Sequence, residues 1–112
     1  MRLVKRAAIT VTPKQPTIDW ANSLDDDEVK FDKDSQSERT IYLIDDVSDV
    51  FPFERDVVVR PYFTAILEEE LSGWHLRESD WPSPRTYDTF LDWFEVEVHS
   101  MILDLPGRRT IR

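Results

Sequence analysis

A chain of 112 residues, 40% hydrophobic and 12% aromatic, can fill the core of one domain but not of two. Its formal net charge of -9 disfavours phosphate backbones and anionic lipid, so neither nucleic acid nor a membrane is expected as a partner. The absence of cysteine excludes a disulfide framework, a thiolate nucleophile and a Cys-containing zinc site.

Residues 3–11 read as the first strand. Leu3, Ala7, Ile9 and Val11 share one face, interrupted by Lys5, and Pro13 ends the run. Pro16 suits the first turn of a short helix whose apolar positions are Ile18, Trp20, Ala21 and Leu24. Residues 25–38 form an acidic loop without hydrophobic period. Residues 40–44 are a second strand, apolar on both faces as a covered strand would be. The connection between these two strands is long enough for a crossover, so a parallel pair and a mixed sheet are expected.

The strongest helical pattern is Val59, Tyr62, Phe63, Ile66, Leu67 and Leu71, with Glu68, Glu69 and Glu70 in the gap and Gly73 as a stop. Pro61 opens this helix or kinks a longer one starting near Glu54. Ser83 and Pro84 read as an N-cap and first-turn proline for a helix carrying Tyr87, Phe90, Leu91 and Phe94. Trp20, Trp93 and Phe94 are assigned to the core by helical spacing. Residues 96–105 form the last strand, alternating at Val96 and Val98 against Glu97 and His99, then apolar throughout at residues 101–103. The expectation is an α+β single domain over residues 1–112, in the order β-α-β-α-α-β. A small mixed three-stranded sheet is packed by helices, and residues 106–112 form a frayed basic tail.

Charge is unevenly placed. Residues 1–16 carry +4, residues 17–54 carry -9, residues 55–105 carry -7, and the tail returns +3. Arg2, Lys5 and Arg6 precede an apolar stretch that Thr10, Thr12 and Pro13 break, which is too polar for a signal-peptide core. Nothing approaches the ~20 apolar residues of a membrane span, and a cytoplasmic protein is expected.

The segments ITVTPKQPTIDWA, RTIYLI, LEEELSGWH and WPSPRTYDTFLDWFEVEVHSMILDL resemble a family of small bacterial proteins of about this length with no assigned activity. The resemblance implies a bacterial cytoplasmic protein and carries over no catalytic or binding residue.

Chemistry-bearing patterns are sparse. The acids of residues 25–34 lack the glycine and closing glutamate of a calcium loop. His99 and Ser100 are neighbours on a strand and point to opposite faces, and no G-x-S-x-G elbow exposes a serine. Two histidines 24 positions apart offer no metal-ligand spacing, and two glycines cannot build a phosphate loop. No cofactor, metal site or catalytic residue is expected. His75, just past a helix end, suits a capping role.

The loop over residues 74–85 concentrates Trp74, His75, Asp80, Trp81 and Arg85, residue types that dominate interfaces but also pin long loops to a domain. The expected function is non-enzymatic protein–protein interaction: an acidic surface steers a basic partner and this loop anchors it. The alternative is a small-ligand binder or enzyme whose site assembles around His99 with Glu97, or around His75.

Overall fold

The computed structural model describes residues 2–24, 39–74 and 77–107. The expected acidic loop, His75 and residues 108–112 of the expected tail lie outside them. In chain order the elements are β1 (Arg2–Val4), β2 (Arg6–Pro13), α1 (Gln15–Ser23), β3 (Thr40–Asp45), α2 (Arg55–Val59), α3 (Phe63–Trp74), α4 (Tyr87–Trp93), β4 (Phe94–His99) and β5 (Ile102–Asp104).

The architecture is α+β, with two small sheets among the described residues. One has the order β3-β2-β4 and the other pairs β1 with β5. Alternation builds the first. Ala7, Ile9 and Val11 are completely buried and meet Ile44 and Tyr42 on one side, Val98 and Val96 on the other. All pairings are antiparallel, which corrects the expected mixed sheet and parallel first pair. Alternation is the same for either strand direction, so the sequence pattern does not distinguish them.

Each of the two long predicted strands is divided. Between the pairs Val4–Ile102 and Ala8–His99, residues 5–7 stand opposite residues 100–101. The extra residue is the arithmetic of a bulge, and it reverses which face the following positions occupy. Leu3 therefore leaves the face it shares by parity with Ala7 and Ile9 and becomes exposed. A second correction concerns β3. Tyr42 and Ile44 turn inward, but Ile41 and Leu43 are 65% and 56% exposed, so the strand is covered on one face only.

Pro61 interrupts the long helical pattern. It has no N–H to donate and its ring crowds the preceding turn, so α2 and α3 are separate helices joined by a tight turn with Tyr62 N–H donating to the Val59 carbonyl. Val58, Val59, Ile66, Leu67 and Leu71 nevertheless point to one core. The α4 helix begins later than expected: Thr86, not Ser83, is its N-cap, its Oγ1 accepting from the Thr89 N–H at 3.2 Å. That start places Tyr87 and Phe90 on the buried side one turn apart.

Phe94 is buried, but as the first residue of β4 opposite Pro13 rather than in a helix. Trp20 and Trp93 are only partly buried against the core, with ring centroids 6.0 Å apart. The α1 helix is tied down where they meet. The Trp93 carbonyl accepts from Lys14 N–H at 2.8 Å and from the buried Thr17 hydroxyl at 2.6 Å.

Candidate functional site

A groove of about 650 Å³ lies between the end of β2, the first half of β3 and the last turns of α3. Pro13 of β2 with Arg39, Thr40, Ile41 and Tyr42 form one wall; Glu69, Glu70, Gly73 and Trp74 form the other. Helical spacing explains the second wall. Ile66, Glu70 and Trp74 are successive i, i+4 positions, so Glu70 lies on the flank of the inward stripe and is half-buried. Tyr42 reaches it from β3, donating its hydroxyl proton to Glu70 Oε2 at 2.5 Å.

Burial holds the Glu70 carboxyl above the usual glutamate range; the Tyr42 hydrogen bond opposes that rise, and neighbouring Glu69 adds to it. Burial, followed by the Glu70 contact, pushes the Tyr42 hydroxyl up as well. The groove thus holds two adjacent carboxylates, one of them poorly solvated, beside Trp74 and across from Arg39.

Folded Glu70 binds its proton more tightly than unfolded Glu70. Its contribution to stability is full below the ordinary value of 4.5 and is lost as pH rises through the raised folded value. Glu70→Gln, which keeps an acceptor for Tyr42, is expected to remove this decline. Thermal melts of both proteins from mildly acidic to neutral pH check it, and parallel curves would show that the Glu70 charge costs nothing.

Trp74 lines the groove. Trp81 packs on the core, with the Arg85 guanidinium 5.7 Å from its ring centroid and 3.5 Å from Glu78. Asp80 accepts the Trp20 indole N–H through its carbonyl at 3.0 Å and pairs with Arg77 at 3.8 Å. The Trp20–Asp80 hydrogen bond and the packing of Trp81 tie this segment to the body of the domain; the two ion pairs lie within it. Glu97 and His99 share the outer face of β4, where His99 Nε2 and Thr10 Oγ1 are hydrogen-bonded at 3.1 Å.

Sequence reasoning missed Arg39, Tyr42, Glu69 and Glu70. The available signal was a carboxylate at an inward helical position between Ile66 and Trp74; Glu68, Glu69 and Glu70 were instead assigned together to the gap.

Among the described residues no cluster of three or more His, Asp or Glu is arranged to hold a metal ion. No described helix is long and apolar enough to cross a membrane. The described residues form an α+β domain with a groove lined by Glu69, Glu70, Arg39, Tyr42 and Trp74. Compared with protein-family models, curated proteins and solved structures, the chain matches none.

Proposed function

We propose that this domain is a non-enzymatic interaction module whose groove binds an extended, basic segment of a partner protein. The observation that carries the reading is the placement of Glu69, Glu70 and Trp74 in one groove with residues 39–42, at the start of β3. Among the described residues β3 pairs on one side only, with β2. An unpaired strand edge offers backbone groups to an added strand, and alternate side chains of that strand then supply specificity. A lysine or arginine of the added strand would meet two carboxylates, and its stem the indole. The surplus of acids steers such a partner from a distance.

The test uses labelled synthetic peptides alternating Lys with Val, their Glu counterparts, and a Lys peptide N-methylated at successive backbone nitrogens. Fluorescence anisotropy should show salt-sensitive binding of the Lys peptide only, weakened about tenfold or more by Glu69→Gln with Glu70→Gln. The N-methylated peptide should bind poorly, because neither of its edges can donate. Equal binding of the Lys and Glu peptides, or no effect of the double substitution, would overturn the reading.

A further inference from the structure

We infer that the β1–β5 ribbon and the hollow beside it form the two-fold contact of a homodimer. The ribbon has three paired positions, Arg2–Asp104, Leu3–Leu103 and Val4–Ile102. Leu3 and Leu103 face the same side. Met101 and Leu105 follow the same alternation along the second chain segment, and these four residues are 53%, 48%, 69% and 64% exposed respectively. A two-stranded ribbon is marginal in water by itself, and a contiguous apolar face on one marks a contact surface.

The occupant is argued from shape and charge. Next to the projecting leucines lies a hollow of about 500 Å³ lined by Leu3, Val4, Lys5, Asp46, Ser48, Phe51, Ser100 and Met101, with the Phe51 ring itself exposed. Leu3 and Met101 belong both to the apolar face and to the lining of the hollow, so projection and hollow adjoin, as a self-complementary contact requires. Among the described residues the surrounding charge is close to balanced: Arg2, Lys5 and Arg6 stand with Asp45, Asp46, Asp49 and Asp104. On a chain of net charge -9, this is a region where a second identical copy approaches without like-charge repulsion. A strongly basic partner, by contrast, meets a surplus of only one acid here among the described residues. In the dimer, Leu103 and Leu105 of each copy enter the hollow of the other.

Sedimentation velocity over low to high micromolar concentrations tests this. The wild-type chain should shift from monomer to dimer. Leu105→Glu at the projection and Met101→Glu at the hollow should each raise the dissociation constant about tenfold or more, with circular dichroism unchanged. Glu69→Gln with Glu70→Gln should leave the dimer intact, which separates this contact from the peptide groove. A wild-type chain that stays monomeric throughout, or a dimer indifferent to both apolar substitutions, would overturn the inference.

Discussion

Phe90→Ala is expected to cost about 3–5 kcal/mol, the range for removing a buried aromatic ring. Phe90 is completely buried and stands at the junction of α3, α4 and β4. Its ring lies 6.1 Å from Phe63, 6.3 Å from Tyr87 and 5.7 Å from Phe94, centroid to centroid. Truncation removes the transfer free energy of the ring and leaves a cavity between helices that cannot close without moving a strand. Small domains have only about 5–15 kcal/mol in total, so the variant should be near its unfolding limit at physiological temperature. Urea denaturation checks this through a large fall in midpoint with unchanged slope. A loss below about 1 kcal/mol would mean that the aromatic cluster is loosely packed.

Leu71→Ala should cost about 2–5 kcal/mol and also impair the groove. Leu71 is completely buried on α3, directly after Glu70 and one turn from Trp74. Its side chain fixes the rotation of the helix and so sets where Glu70 and Trp74 stand against β3. The expected result is a lowered melting temperature together with weaker binding of the Lys peptide, whereas Glu70→Gln should weaken binding without that loss of stability at neutral pH. A Leu71→Ala protein that melts early yet binds the peptide normally below its transition would show that α3 does not position the groove.

Much of the core was readable because burial and period coincide there. Ile9, Val11 and Val96 alternate, and Ile66, Leu67 and Leu71 recur at helical spacing, so each element declares its inward face. The candidate site was less legible. Glu70 breaks the polarity rule at an inward position, and Tyr42 becomes its partner only after β3 is placed beside α3. The two residues are separated by 28 positions, and no local pattern connects them.

By itself the sequence determined the elements around Ile9, Ile66 and Phe90 and the acidic character of the surface, since periodicity and charge are local properties of the chain. The tertiary structure alone decided the antiparallel direction of β3, the exposure of Leu3, Ile41 and Leu43, and the meeting of Tyr42 with Glu70. Strand direction leaves alternation unchanged, and one extra residue opposite residues 100–101 reverses the face of everything beyond it. Both depend on pairing between distant segments, whose relative placement no local pattern encodes.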